Sequence, residues 1–233
     1  MNLKGARALV TGGSDGIGYA TAEALSAKGS RVAIMARDRS KLDGAAQRLG
    51  ALAIPGDVSI EADAVSAVRT AVESFGGLDI LVNNAGFGIF KALTETTREE
   101  FESVFATNVV GAMLMAREAA RQFVRQGSGN LISIASTAGL KGGRGGTAYS
   151  GSKFALRGMT ECWRDELRRH NVRVLLVNPS EVQTSFFEKS GRTQEESPKK
   201  LRGKEIAEAI VGMLEIDDRG FIPELSVWAT NPF

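Results

Sequence analysis

Short runs of β-branched and leucine-rich residues alternate along the chain with segments whose apolar positions recur at helical spacing. Arg7 to Thr11, Arg31 to Ala36, Leu78 to Val82, Leu131 to Ala135 and Val172 to Val177 read as strands, with helices filling the intervals. The strand runs are nearly continuous in apolar residues, the pattern of strands covered on both faces. Such strands with helices between them predict right-handed βαβ crossovers and a parallel sheet, an α/β doubly wound architecture. Thr97 with Glu100 has capping-box spacing, and Gly16 to Gly18 opens a helix directly after the first strand. One stretch breaks the alternation. Residues 185–204, with KSGRTQEESPKK at their centre, are polar and helix-poor. A loop of that length inside a compact domain makes a candidate substrate lid.

Composition narrows the function classes. A chain of 233 residues is long enough for one large domain, so residues 1–233 are expected to form one. The formal charge of +2, with 24% charged residues and no lysine and arginine block, gives no reason to expect a nucleic-acid partner or a polybasic membrane surface. No apolar stretch approaches the roughly 20 residues needed to cross a bilayer. Cys162 is the only cysteine and excludes an intrachain disulfide; the opening MNLKGARALVTGG lacks the pattern of a signal peptide, and a cytoplasmic location is expected. The single histidine, His170, argues against a Ser-His-Asp hydrolase or a histidine-rich metal site, and no metal is expected. Its simplest place is the C-terminal end of a helix, facing the dipole.

Tyr149 and Lys153 lie four residues apart at the start of a long helical segment, and Ser136 ends an apolar run thirteen residues upstream. Spacing of four puts phenol and ammonium on one helical face, where a cation lowers the phenol pKa from its usual value of about 10. Such a pair serves as a proton donor and acceptor. The bland alternative is a packed tyrosine beside a solvated lysine. Thr11-Gly12-Gly13-Ser14-Asp15-Gly16-Ile17-Gly18 joins the first strand to the first helix, as a dinucleotide-binding turn does, with a helix N-terminus for the pyrophosphate. A glycine turn before a helix is also a common structural device.

Taken with Ser136 and the Tyr-x-x-x-Lys pair, the Thr-Gly-x-x-x-Gly-x-Gly turn resembles that of the short-chain dehydrogenase/reductase family. Further landmarks follow in order along nearly the whole chain: Asp57-Val58, Asn83-Asn84-Ala85-Gly86, Asn108 and Asn178-Pro179. The resemblance implies a Rossmann fold of about seven strands and interconversion of a carbonyl and a secondary alcohol by hydride transfer. In that reading Tyr149 is the acid/base, Ser136 a hydrogen-bond donor to the carbonyl oxygen, and Lys153 the group that lowers the tyrosine pKa and holds the nicotinamide ribose. Asn108 holds a water of the proton relay. Gly12, Ser14, Asp15, Gly16, Ile17 and Gly18 bind the cofactor; Asp57 and Val58 reach the adenine; Asn84, Ala85 and Gly86 form the ribose wall; Pro179, Val182 and Thr184 lie at the nicotinamide.

Arg37 at the end of the second strand favours NADP(H), since guanidinium pairs with a 2′-phosphate, while NAD(H) stays possible because Asp15 stands where many NADP-using relatives have a basic residue. Where the family has Pro-Gly, the chain reads Pro179-Ser180-Glu181, which puts nicotinamide placement in question and brings Ser180 and Glu181 toward the substrate. Phe87, Phe90, Phe186 and Phe187 are candidate apolar substrate contacts, though aromatic residues there can merely pack. The resemblance also implies a homo-oligomer, a tetramer, assembled through the helices holding Asn108 and Tyr149. Two alternatives remain: a 3-oxoacyl-acyl-carrier-protein reductase docking an acidic carrier on Arg121, Arg125, Arg168 and Arg169, and a non-catalytic NADP-binding sensor or scaffold.

Overall fold

The computed structural model describes residues 1–186 and 196–231. Its strands are β1 (Arg7–Thr11), β2 (Arg31–Ala36), β3 (Leu52–Pro55), β4 (Ile80–Asn83), β5 (Gly129–Ile134), β6 (Val172–Pro179), β7 (Val182–Gln183), β8 (Leu201–Arg202) and β9 (Glu224–Val227). The helices are α1 (Gly16–Ala27), α2 (Arg39–Leu49), α3 (Glu61–Phe75), α4 (Arg98–Phe105), α5 (Ala112–Gln126), α6 (Thr147–Leu167) and α7 (Gly203–Glu215). Among the described residues the main sheet is wholly parallel, in the order β3-β2-β1-β4-β5-β6-β9, and β7 pairs with β8 in a separate two-stranded ribbon.

Continuous apolar runs suit these strands because both faces are covered. In β1, Ala8 and Val10 join Leu25 of α1, Leu42 of α2 and Ile210 of α7 on one face, while Leu9 joins Ala67 of α3 and Met115 and Phe123 of α5 on the other. Leu156 of α6 packs on Leu176 of β6. The Thr97 cap is formed as its spacing predicts: the Thr97 hydroxyl accepts from the Glu100 N–H at 3.2 Å, and the Glu100 carboxylate accepts from the Thr97 N–H at 3.1 Å.

The expected β1 and β2 have their expected bounds, and three others shift. Leu78 leaves the ladder because its N–H and C=O bond the Gln126 side chain at 3.1 and 2.6 Å, so β4 begins at Ile80. Gly129 and Asn130 pair with Val172 and Arg173, which starts β5 early and ends it at Ile134. Pairing with β9 carries β6 on to Pro179. The candidate lid is also shorter than predicted at its far end, since Leu201–Arg202 form β8 and Gly203 begins α7. Its residues 187–195, with Phe187, lie outside the described residues.

Candidate active site

Loops following β1 to β6 surround one cleft of about 860 Å³ at the C-terminal ends of the parallel strands. The chain leaves β1 toward β2 and leaves β4 toward β5, so the adjacent β1 and β4 flank the switch point where doubly wound sheets bind ligands.

At one end the wall is main chain. Gly16 has φ of +57°, a left-handed conformation that disfavours a side chain. Gly18 packs so closely that a β-carbon there would stand 2.3 Å from the Gly12 carbonyl oxygen. The buried Thr11 hydroxyl accepts from the N–H groups of Asn84 and Ala85, both at 3.0 Å, and the Asn84 amide donates back to the Thr11 carbonyl at 2.9 Å. These bonds staple the loop after β4 to the glycine turn. Gly12, Ser14, Gly16 and Ile17 line the cleft with Asn84, Ala85 and Gly86, whereas Gly18 supports the turn from behind. Asp15 caps α1 through a 2.7 Å bond from the Gly16 N–H, and its second oxygen accepts from the Ser185 hydroxyl.

Beyond the turn, Arg37 pairs with Asp57 at 3.4 Å. Partial burial works to raise the Asp57 pKa, but hydrogen bonds from the Ser59 N–H and hydroxyl, together with Arg37, hold it below the usual carboxylate range. Lys41 and Val58 complete this end, and Asp38 caps α2 by accepting from the Lys41 N–H at 3.0 Å.

The other end is built from side chains. Tyr149 and Lys153 project from the first two turns of α6, and Ser136 follows β5. All three line the cleft. Burial pushes the Tyr149 phenol up to about 12, and a hydrogen bond with Ser136 pulls it partly back. Burial also pushes the Lys153 ammonium down to about 8. The expected lowering of the phenol by Lys153 is therefore corrected in this structure: Lys153 Nζ donates to the Ile134 carbonyl at 2.8 Å and stands 5.7 Å from the tyrosine ring centre. Desolvation sets the direction at both groups, opposed at the phenol by the Ser136 hydrogen bond.

Asn108 lies in a π-helical turn over Ala106–Gly111, between α4 and α5, rather than in a regular helix; such turns are frequent at functional sites. It is 1% exposed and lies behind the cleft wall. Its amide donates to the Phe87 carbonyl at 2.9 Å and to the Ser152 hydroxyl at 3.0 Å, and accepts from the Phe87 N–H at 3.0 Å. The buried amide thus finds the partners it needs in α6 and in the loop that carries Phe87 and Phe90.

Pro179, Ser180, Glu181, Val182 and Thr184 line the cleft, and the Glu181 carboxylate accepts from Lys200 Nζ at 2.8 Å. Thr184 packs against the start of α1, 3.3 Å from where a Gly16 β-carbon would be. Phe87, Phe90 and Phe186 line the cleft too, with Phe90 and Phe186 each 5.3 Å from the Tyr149 ring, centre to centre. Sequence reasoning missed the roles of Lys41, Ser152, Ser185 and Lys200. The i+3 spacing of Ser152 from Tyr149 on the helix was a usable signal, but Ser185 and Lys200 are brought in by the β7/β8 ribbon, which is too short to read in sequence.

Arg121 and Arg125 line a second cavity, of about 500 Å³, between α5 and α6 beside Trp163. Arg121 pairs there with Glu118 at 2.9 Å, and Arg125 donates to Gln122. Among the described residues no cluster of potential ligands could hold a metal ion, and no helix is long and apolar enough to cross a membrane.

Comparison with known proteins agrees with this geometry. The family model for short chain dehydrogenases matches residues 6–195. An uncharacterized oxidoreductase of Staphylococcus saprophyticus is 34% identical over 233 residues, covering 97% of this chain and 98% of the relative. Among solved structures, an alcohol dehydrogenase from the archaeon Thermococcus sibiricus, complexed with 5-hydroxy-NADP, superposes with a TM-score of 0.87 at 28% identity over 96% of each chain. A 3-ketoacyl-(acyl-carrier-protein) reductase from Brucella melitensis, complexed with NADH, does so with the same score and identity over 97% of each. The chain belongs to the short-chain dehydrogenase family and is an NAD(P)-dependent oxidoreductase.

Proposed function

We propose that the protein is an NADP(H)-preferring carbonyl reductase or secondary alcohol dehydrogenase, with Tyr149 as its acid/base. The carrying observation is that Tyr149, hydrogen-bonded to Ser136, opens on the same cleft as the glycine turn, with Lys153 buried beside it. When bound, the nicotinamide supplies or accepts the hydride. The part of the cleft lined by Gly12, Ser14 and Gly16, the α1 N-terminus and the Arg37 and Lys41 cations fit a dinucleotide's pyrophosphate and phosphates.

Ser136 donates a hydrogen bond to the substrate oxygen and stabilises charge that develops there. Tyr149, protonated well above neutral pH, delivers its proton to that oxygen. Lys153, close to its own pKa at mildly alkaline pH, replaces the proton on the tyrosine, and Asn108 orders the Phe87 loop and, through the Ser152 hydroxyl that bonds the Tyr149 carbonyl, ties it to α6. Arg37, two-thirds exposed, pairs with Asp57 at 3.4 Å and can turn to a 2′-phosphate; NAD(H) is the weaker coenzyme.

A small-molecule substrate is favoured over an acyl carrier, because Arg121 and Arg125 line a cavity separate from Tyr149. A sensor has no use for the Ser136 and Tyr149 pair. Exposed Val110 on the π-helical turn, Val124 on α5 and Phe154 on α6 support assembly into a homo-oligomer, a tetramer, and the free Cys162 suits a reducing cytoplasm.

The test is consumption of NADPH and NADH over ketones, aldehydes, quinones and 3-oxoacyl thioesters. Turnover with NADPH ahead of NADH is expected. Comparable rates would remove the case for Arg37, and no turnover on any carbonyl would sink the reductase reading.

A further inference from the structure

Three rings from distant parts of the chain meet at the reactive end. Phe90 follows β4, Tyr149 stands in α6 and Phe186 follows β7. Ring centres are 5.3 Å apart for Tyr149 with Phe90, 5.3 Å for Tyr149 with Phe186 and 6.4 Å for Phe90 with Phe186, at interplanar angles of 52°, 56° and 75°. These are the tilted and edge-on arrangements that aromatic pairs favour. The main chain is fitted to them: a β-carbon on Gly88 would stand 2.8 Å from the Phe90 ring and 3.0 Å from that of Phe186. All three rings are half-buried and face the cleft.

Among the described residues, two cations that line the cleft are engaged. Lys200 is paired with Glu181 at 2.8 Å, and Lys153 donates to the Ile134 carbonyl at 2.8 Å.

We propose that Phe90 and Phe186 clamp the substrate over Tyr149, and that the substrates are uncharged ketones carrying an aryl or bulky cyclic alkyl group beside the carbonyl. A substrate must part rings that now touch. Only an apolar group of comparable size restores those contacts, and a small aliphatic ketone leaves a void. A carboxylate would lose water against the rings. The carbonyl carbon gains a hydride from the reduced nicotinamide coenzyme, which is oxidised; the oxygen gains the Tyr149 proton, giving a secondary alcohol. The phenol recovers its proton from Lys153, which regains one from solvent.

This inference rests on the reductase reading, and its test separates the two. Wild-type, Phe186→Ala and Phe186→Leu proteins are compared with NADPH on acetophenone and acetoacetate, alongside saturation-transfer NMR of acetophenone on the Tyr149→Phe protein and on its combination with Phe186→Ala. NADPH affinity, unchanged among the variants, confirms that each is folded. Wild type is expected to favour acetophenone about 100-fold in kcat/KM, with Phe186→Ala losing about tenfold or more of that ratio and Phe186→Leu less. Saturation transfer is expected with Tyr149→Phe and should fade when Phe186→Ala is added. Equal rates on both ketones, or a ratio unmoved in Phe186→Ala, would overturn the clamp while leaving the reductase standing. Phe186-dependent binding of acetophenone with no turnover of any carbonyl would keep the clamp and overturn the reductase.

Discussion

At the glycine-turn end of the cleft, the walls are main chain, held by Thr11, Asn84 and close packing of Gly18 on the Gly12 carbonyl. At the Tyr149 end they are side chains: Ser136, Lys153, three phenylalanines and the Glu181 and Lys200 pair, carried by four separate loops and α6. In the proposed reading the first end accepts parts common to every nicotinamide dinucleotide, so its shape can be fixed in the backbone. The second must suit one class of substrate, and side chains can change without disturbing the sheet. Damage to the first should therefore act on cofactor binding and stability together, and damage to the second on turnover and selectivity.

The strongest challenge to that division is Gly18→Val. With a β-carbon 2.3 Å from the Gly12 carbonyl, the turn must shift, and NADPH affinity by fluorescence titration is expected to fall about 100-fold or more. Retained affinity would mean that the turn adapts and that its rigidity is not what binds.

Lys153→Met comes next and probes burial at the reactive end. The Lys153 pKa is lowered from 10.5 to about 8, so the unfolded chain binds the extra proton between those values. Wild-type stability should therefore rise with pH relative to the variant, fully penalised below pH 8 and gaining up to ~3 kcal/mol by pH 10.5. Tyr149, raised from 10.0 to about 12, works oppositely above pH 10, so the clean window is pH 8 to 10. Denaturant titrations across that window check it, and a flat difference would contradict the lysine's desolvation.

Asn108→Ala is expected to cost ~1–3 kcal/mol, because the Phe87 N–H and carbonyl lose their partner in the interior and the Ser152 hydroxyl loses a donor. It should also loosen the loop bearing Phe90 and lower turnover more than NADPH affinity. A smaller effect still is expected from Arg37→Ser. The ratio of kcat/KM for NADPH over NADH should drop about tenfold, the worth of ~1.4 kcal/mol, with the ketone preference unchanged. An unaltered ratio would assign the phosphate to Lys41.

The difference between the ends also governs what was legible in the sequence. β1 and β2 were read to the residue because their apolar runs coincide with strands buried on both faces, and the glycine turn was read because its geometry is local. The short edge strand Leu52–Pro55 and the half-buried Glu224–Val227 carry too little pattern to be delimited from sequence. Tyr149, Lys153 and Ser136 were located by spacing and family likeness, but the direction of the Tyr149 shift was not. Spacing fixes the proximity of the two groups, whereas desolvation and the Ile134 carbonyl depend on tertiary packing. The Glu181 and Lys200 pair was hidden for the same reason: it depends on the β7/β8 ribbon.

The most direct measurement follows a single turnover of bound NADPH by stopped flow, in wild type and in Tyr149→Phe, with the best ketone found for wild type and with NADPH affinity determined for both. A rate loss of about 10³-fold at equal NADPH affinity is expected if the phenol delivers the proton. An unchanged rate would contradict Tyr149 as the acid and leave Ser136 and solvent to supply it.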